Sequence, residues 1–298
     1  RRAINVVRDP EVAEFNIITI PGVTATGVTD YLLDVTEDRG DAIAIIDLEK
    51  VYEAQSENTK SYQNRNSFSI SQAVDSLRER GINNSYGACY YPWVRIQDTV
   101  SGQALWAPPS VAALGAFSFN DRVRAPWYAP AGFARGGLSE GSGGVPVLDV
   151  SRRLTSDERD DLYSAGINPI AQFPAEGIVI FGQKTLQRTR SALDRINVRR
   201  LMVFLKKEIS FIASRMLFDQ NTQSTWNRFI GQAEPILRSV QSRFGLEEFR
   251  LILDESTTTP DLVDRNIIYA KILLKPTRTA EWCFVCGLIN KALYILRE

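Results

Sequence analysis

Short apolar runs alternate with segments of helical periodicity in the first half of the chain. Residues 15–20, 42–47 and 90–96 are mainly apolar and predict three buried strands. Residues 23–39 and 69–80 carry apolar side chains at helical spacing, and a glycine follows each segment. This order of strands and helices predicts an α/β fold with a doubly wound parallel sheet.

A change of composition follows these elements. Prolines and glycines punctuate residues 102–146, so we expect a loop-rich connection there. Beyond it, Thr155 and Glu158 have the spacing of a capping box at the start of a helix. We therefore expect the α/β domain to occupy residues 1–150 and a second domain to occupy residues 151–298.

The second half combines strand and helix signals in a different order. An apolar run at residues 177–182 predicts a strand. Two long helices are expected at residues 198–218 and 225–244, the second kinked or broken at Pro235. Three further strands are expected at residues 249–253, 268–275 and 280–286. This mixture of helices and strands predicts an α+β domain.

Composition narrows the classes of function. The 298 residues are 44% hydrophobic, which suffices for a substantial core, and no run approaches the roughly 20 apolar residues of a membrane helix. Lys and Arg total 35, as do Asp and Glu, so no excess of charge predicts direct binding to nucleic acid or insertion into a membrane. Most of the basic residues are Arg, whose planar head suits pairing with carboxylates at protein interfaces.

Histidine is absent from the chain, and this excludes most neutral-pH acid–base catalysis and most zinc sites. The three cysteines, Cys89, Cys283 and Cys286, provide no disulfide framework and predict a reducing compartment. The last two have C-x-x-C spacing within an apolar, strand-like run. Because too few partners remain for a zinc site, we predict buried structural thiols.

Gly137, Ser139 and Gly141 match the G-x-S-x-G nucleophile elbow of hydrolases. No apolar strand precedes this motif and no histidine could deprotonate the serine, so a flexible glycine-rich loop is the preferred interpretation. Adjacent carboxylates could hold Mg²⁺, but neighbouring helix residues point in different directions, so we expect solvated faces and charges in first helical turns. These pairs are Glu37 and Asp38, Asp157 and Glu158, and Asp160 and Asp161.

Six aromatic residues could form a stacking platform for sugars or bases: Tyr90, Tyr91, Trp93, Trp106, Trp127 and Tyr128. No basic cluster lies among them, and several are next to prolines. We therefore expect them to anchor the core and loops. The sequence predicts no catalytic residue, no metal ligand and no cofactor.

Several stretches, in a consistent order, are similar to those of contractile bacteriophage tail sheath proteins. They cover most of residues 4–281, and together they are far more specific than any one of them. The matching stretches are residues 90–94, 106–110, 125–132, 162–170, 177–186, 196–201 and 275–276.

This resemblance implies a structural subunit without enzymatic activity. Such subunits pack as hexameric rings, stacked in a helix around the tail tube, and the sheath contracts to drive the tube through the host envelope during genome delivery. Energy would be stored in subunit packing, without nucleotide chemistry. The resemblance also implies a subtilisin-like α/β domain, a fold likeness that does not entail proteolysis.

The resemblance also implies the partners and the location. The partners would be other sheath subunits, the tail tube protein, and the baseplate and tail-terminator proteins. The protein would lie in the virion tail, and in the host cytoplasm during assembly.

Terminal arms usually join neighbouring subunits in this family by adding strands to their sheets. The chain begins at Arg1 rather than Met, and residues 287–298 do not resemble the family's usual ending. We therefore expect a fragment that lacks at least one arm and is monomeric in dilute solution. The alternatives are a histidine-free hydrolase of subtilisin-like ancestry, which a fluorophosphonate would label at Ser139, and a nucleic-acid or tail-associated binding module, marked by salt-sensitive DNA binding.

Charge is unevenly distributed along the chain. Residues 30–60 carry an excess of carboxylates and residues 184–215 an excess of basic side chains. In the second range, helical spacing predicts an exposed basic face opposite the apolar Leu201, Leu205 and Ile212. A solvated face and the acidic patch of a neighbour are alternatives to tube contact. The candidate residues for contact with the tube or another subunit are Arg195, Arg199, Arg200, Lys206 and Lys207.

Overall fold

The computed structural model describes residues 1–49, 70–98, 100–139, 144–281, 284–289 and 292–297. The helices of these ranges are α1 Arg2–Val6, α2 Thr26–Arg39, α3 Ile70–Glu79, α4 Pro109–Val123, α5 Ser156–Ser164, α6 Ile196–Ser214, α7 Gln223–Ser242 and α8 Pro260–Asp264. The strands are β1 Ile17–Thr19, β2 Ile43–Ile46, β3 Gly87–Tyr91, β4 Val94–Gln97, β5 Ala104–Ala107, β6 Val147–Val150, β7 Asn168–Phe173, β8 Gly177–Ile180, β9 Leu246–Ile252, β10 Lys271–Pro276, β11 Phe284–Ile289 and β12 Ala292–Arg297. None of the described helices is long and apolar enough to cross a membrane.

A five-stranded sheet in the order β1-β2-β3-β7-β8 forms the centre of the fold. Its first four strands run parallel, and β8 is antiparallel to β7. Helices α2, α3 and α5 cover one face through side chains such as Leu32, Leu77 and Leu162. Helix α4 covers the other face through Phe117 and its neighbours. The predicted α/β fold with a parallel sheet is therefore confirmed.

The sheet is not doubly wound, in contrast to the prediction. A doubly wound sheet reverses its strand order and sends crossover helices to both faces. Here the order advances in one direction, and the crossovers carry α2, α3 and α5 on one face. An insertion between β3 and β7, made of α4 and the three-stranded sheet β5-β4-β6, covers the second face instead.

Residues 90–96, predicted as one strand, belong to two sheets. β3 ends at Tyr91 in the central sheet, and β4 begins at Val94 in the three-stranded sheet. Pro92 lies at the junction. Because proline has no amide hydrogen to donate to a strand ladder, it favours the end of a strand at this point.

Helix α4 lies within residues 102–146, where a loop-rich connection was predicted. Pro109 is its first residue, a position at which a missing amide hydrogen leaves no helical bond unmade. Ala113, Ala116 and Phe117 are at most 1% exposed. The prediction was wrong here because the prolines were interpreted as breakers rather than as the start of a helix.

The predicted boundary after residue 150 falls within the central sheet, because β7 and β8 follow it and complete the sheet that β3 belongs to. The architecture changes at α6 instead. Helices α6 and α7 pack together, and the antiparallel pair β9–β10 lies against α7. Pro235 lies inside α7, which continues through it to Ser242. β11 and β12 form a further antiparallel hairpin.

Candidate assembly interface

Helix α6 carries four of the five basic residues predicted to contact the tail tube or another subunit. Arg199 and Arg200 are buried, at 7% and 3% exposure. The Arg199 guanidinium lies 4.0 Å from the centre of the Tyr86 ring and donates to the Ser85 hydroxyl. Arg200 donates to Asp121 Oδ2 at 2.5 Å. The exposed stripe predicted for these two arginines is therefore wrong, because they join α6 to the central sheet domain.

Helical spacing did not reveal this burial because α6 is covered on more than one side. Leu201 and Leu205 are buried as predicted, facing α7 and β9. Arg200 lies on another face, with its guanidinium 4.9 Å from the centre of the Phe117 ring of α4. Burial lowers the pKa of the Arg199 guanidinium, although nearby tyrosine and glutamate side chains oppose the shift. A weakly hydrated guanidinium can be buried in this way more readily than an ammonium group.

The two lysines of α6 have different roles. Lys206 Nζ donates to the carbonyl oxygen of Arg39 at 2.9 Å, at the end of α2 where unpaired carbonyls attract cations. Lys207 Nζ lies 2.7 Å from the Glu14 carboxylate, and both side chains are partly exposed. Surface pairs of this kind contribute little stability. Lys206 therefore caps the C-terminal end of α2, whereas Lys207 is a charged residue at the surface.

Arg195, the fifth predicted residue, precedes α6 and is turned inward. Its Nε and Nη2 atoms donate to the two carboxylate oxygens of Glu281, at 2.5 and 2.9 Å. A second carboxylate, that of Asp194, lies 3.1 Å from Arg195 Nη1. Burial opposes the charge of Arg195, but the bond to Glu281 and the nearby acidic groups raise its pKa above the ordinary value. All five predicted contact residues thus bind groups of their own chain.

One edge of the central sheet is open in the part of the chain that the structure describes. β1 pairs with β2, and no described strand lies on its other side. At the opposite edge, residues 136–138 line β8. Leu138 N donates to Ile178 O, and Ile180 N donates to Gly136 O, both at 2.8 Å. The side of β1 away from β2 is therefore the edge at which this sheet could accept a strand from another chain.

Ser139, the serine of the G-x-S-x-G motif, is held beside β8. Its hydroxyl oxygen accepts the amide hydrogen of Ile178 at 2.8 Å. The residues just before it pair with β8, so the predicted flexible loop is wrong for this part of the motif. Gly141 lies outside the described residues. The serine hydroxyl is thus part of the hydrogen bonding at the sheet edge.

A groove of about 460 Å³ separates α7 from β9. No described strand pairs with β9 on the side away from β10. Gln241 Nε2 donates to Glu247 O at 2.8 Å, beside the groove. β9 is therefore a second candidate edge for strand addition, flanked by a helix. The lining residues are Ile230, Glu234, Arg238 and Gln241 of α7 and Phe249, Arg250 and Leu251 of β9.

Cys89 and the acidic residue Glu158 have structural surroundings. Cys89 is fully buried, and this burial raises the pKa of its thiol to about 12. Cys283 lies outside the described residues, and Cys286 is placed by its backbone in β11. Glu158 completes the predicted capping box with Thr155, which confirms that interpretation. Across the described ranges, no cluster of three acidic or cysteine side chains could hold a metal ion.

Aromatic residues anchor the core, as predicted for Tyr90, Tyr91 and Trp127, all at most 6% exposed. Trp127 Nε1 donates to the carbonyl oxygen of Arg243 at 3.0 Å. Its ring centre lies 5.3 Å from that of Phe204 in α6. Trp127 therefore links the α4 region to both long helices of the second half.

Sequence reasoning missed the acidic partners of the buried arginines. Asp121 and Glu281 lie 79 and 86 residues away from Arg200 and Arg195 along the chain. No motif spacing connects residues so far apart. The excess of Arg over Lys indicated that arginine–carboxylate pairs would form, but it did not identify which residues pair.

Comparison with known proteins adds a family relationship. The model of the phage tail sheath protein central domain matches residues 3–186. The tail sheath protein of Vibrio phage KVP40 is 34% identical over 209 residues, which cover 70% of the chain and 30% of that relative. For the tail sheath protein of Enterobacteria phage T4, the values are 30% identity over 177 residues, with 59% and 26% coverage. The chain thus spans less than a third of the length of these two relatives.

Solved structures are similar across both halves of the chain. The PVC sheath complex of an extracellular contractile injection system, in the contracted state, has a TM-score of 0.74 at 20% identity and covers 96% of this chain and 74% of its own. The anti-feeding prophage baseplate structure has a TM-score of 0.71 at 21% identity, with 94% and 70% coverage. At these identities the likeness concerns the fold.

Proposed function

The chain belongs to the phage tail sheath family, and from this membership we propose that it forms part of a structural subunit of a contractile tail. The subunits polymerise around the tail tube, and contraction of the polymer drives the tube through the host envelope during genome delivery. The observation that carries this proposal is the match of the central-domain model to residues 3–186. The protein would then lie in the virion tail, after assembly in the host cytoplasm.

We propose that the subunit acts without catalysis. The serine of the hydrolase-like motif accepts a backbone hydrogen bond from β8, and the sequence has no histidine to activate it. The subtilisin-like character of the α/β domain is a further proposal, which rests on the family resemblance. A fluorophosphonate probe, which labels activated serines, tests whether the protein is a hydrolase and whether Ser139 is its nucleophile. We expect no labelling. Labelling that Ser139→Ala abolishes would contradict the proposal.

Subunit contacts are proposed to form by strand addition. Two strand edges support this proposal: β1 in the central sheet and the side of β9 that faces the groove. Unpaired strand edges bind extended segments through backbone hydrogen bonds, which tolerate differences in side chains. Other sheath subunits, arranged as hexameric rings in a helical polymer, are the proposed occupants. The baseplate and tail-terminator proteins are the proposed partners at the two ends of the polymer.

Contact with the tail tube is a separate proposal, and the structure changes its test. Reversing Arg199 and Arg200 would disturb folding, because both are buried. Lys207 carries a surface charge in a partly exposed pair. The intact protein means the complete chain that its gene encodes. In it, we expect Lys207→Glu to weaken binding to purified tubes. Lys271→Glu, at an exposed position of β10, is the matched control. Equal tube binding by the two variants would contradict the proposal.

Sedimentation velocity of the intact protein tests self-assembly. We expect particles far larger than one subunit, whose fraction rises with protein concentration because assembly follows mass action. The 298-residue chain alone, predicted to be monomeric, serves as the reference in the same run. An intact protein that sediments as a monomer at every concentration would contradict the proposed function.

A further inference from the structure

The segment that joins β10 to the β11–β12 hairpin is fastened to the rest of the protein at three points. Thr277 N donates to Gly245 O at 3.2 Å. Asn197 Nδ2 donates to Thr279 Oγ1 at 3.0 Å. The third point is Glu281, the last described residue before the hairpin. These contacts fix the course of residues 277–281, which belong to neither a helix nor a strand.

The Glu281 carboxylate gathers groups from three separate parts of the core. Arg195, before α6, binds it with two hydrogen bonds. Gln183, after β8, donates to it from Nε2 at 3.2 Å. The Tyr163 hydroxyl of α5 is also hydrogen-bonded to it, and burial followed by the Glu281 charge raises the pKa of Tyr163. We call Arg195, Gln183, Tyr163 and Glu281 the carboxylate clamp.

The location of the carboxylate clamp limits the path of the chain beyond it. β11 begins at Phe284, three residues after Glu281. Three residues reach about 10 Å when fully extended, so the hairpin starts within that distance of the core. Within the described residues, β11 and β12 pair with each other and with no other strand. An isolated two-stranded hairpin is marginally stable in water and gains stability from a further partner.

We propose that the carboxylate clamp is a positioning device, which holds the start of the β11–β12 hairpin where the hairpin can pair with a second copy of this chain. This inference rests on the proposed self-assembly. The Arg195 and Glu281 side chains are 28% and 16% exposed, so their pairing must offset the loss of much of their hydration. Such a pair contributes modestly to folding stability, whereas its two parallel bonds fix geometry. A rigid attachment lowers the conformational entropy lost when two subunits join.

The test compares clamp variants of the intact protein with a matched surface variant. Glu281→Gln keeps the size of the side chain but removes the charge, and Glu281→Ala removes both. Asp261→Asn is the control, because Asp261 of α8 forms an exposed 3.2 Å pair with Arg265 and lines neither the clamp nor the groove between α7 and β9. Hydrogen exchange of residues 277–281 reports on the clamp, exchange in β2 and β3 reports on the fold, and sedimentation reports on assembly.

We expect Glu281→Ala to accelerate exchange of residues 277–281 about tenfold, with Glu281→Gln intermediate and β2 and β3 unchanged. The protein concentration needed for half-maximal assembly should rise about tenfold in Glu281→Ala and remain unchanged in Asp261→Asn. Faster exchange with unchanged assembly would overturn the positioning role, as would unchanged exchange. Failure of the unsubstituted protein to assemble would instead overturn the proposed function, and this inference with it.

Discussion

Several charged side chains are buried in this structure, and Arg39 is the clearest example. Its side chain is 1% exposed. A guanidinium has five N–H groups, and each of those in Arg39 has an acceptor in its own chain. The acceptors are both carboxylate oxygens of Asp41 and the backbone carbonyls of Val7, Asp9 and Ala13. One side chain therefore holds the N-terminal segment against α2.

Substitution of Arg39 tests the importance of this geometry. Arg39→Lys keeps the charge but leaves several buried acceptors without a donor, so we expect the free energy of unfolding to fall by about 3 kcal/mol. Arg8→Lys is the matched control, since Arg8 pairs with Asp38 on the surface, and its effect should stay within about 0.5 kcal/mol. Urea unfolding measures both. Equal losses in the two variants would show that Arg39 acts as an ordinary surface cation.

Asp47 gives a pH-dependent prediction. It follows β2, is 1% exposed, and accepts hydrogen bonds from Gly22 and Ser110. Burial raises the pKa of its carboxyl above the ordinary value for an aspartate, although those hydrogen bonds oppose the shift. A raised folded-state pKa contributes stability that is full at low pH and is lost as the pH rises through it.

The variant Asp47→Asn removes this titration. We therefore expect the free energy of unfolding of the unsubstituted protein to fall relative to that of the variant as the pH rises from about 4 to 7. Urea unfolding at several pH values measures the difference between the two proteins, in which the titration of the other carboxyl groups cancels. Parallel pH profiles, or a difference of the opposite sign, would contradict the assignment.

At the scale of elements, periodicity predicted what local sequence determines. Residues 23–39 and 69–80 gave α2 and α3, and the apolar run at 42–47 gave β2. The predictions failed where residues distant in the chain determine the structure. The chain changes from one sheet to another at Pro92, and Arg200 is buried against Asp121. Both features depend on contacts with elements that are distant in the sequence.

The capping box of α5 is a local feature that can be tested directly. The Thr155 hydroxyl accepts from Glu158 N, and the Glu158 carboxylate accepts from Thr155 N. Thr155→Ala should lower the free energy of unfolding by about 1 kcal/mol, whereas Thr155→Ser, which keeps the hydroxyl, should change it by a few tenths. Thermal or urea unfolding distinguishes the two. Indistinguishable losses would mean that the hydroxyl is not the stabilising group.

Across the whole molecule, three of the five basic residues predicted for contact link parts of this chain. Arg199 and Arg200 join α6 to the central domain, and Arg195 holds the segment that leads to the hairpin. This arrangement would suit the proposed function, in which a subunit stays rigid while its contacts with neighbours change. The sequence predicted the family through several stretches in order. The burial of Arg199 and Arg200 differs from the prediction because exposure depends on tertiary packing.

Electron microscopy of the intact protein, purified after expression in the absence of other tail proteins, tests whether it polymerises as a tail sheath. We expect hollow tubular polymers whose wall is built from stacked rings of six subunits. Asp261→Asn should form the same tubes, since it alters an exposed pair outside the carboxylate clamp and the groove between α7 and β9. Folded protein that remains as single particles, or that assembles without a central channel, would contradict the proposed function.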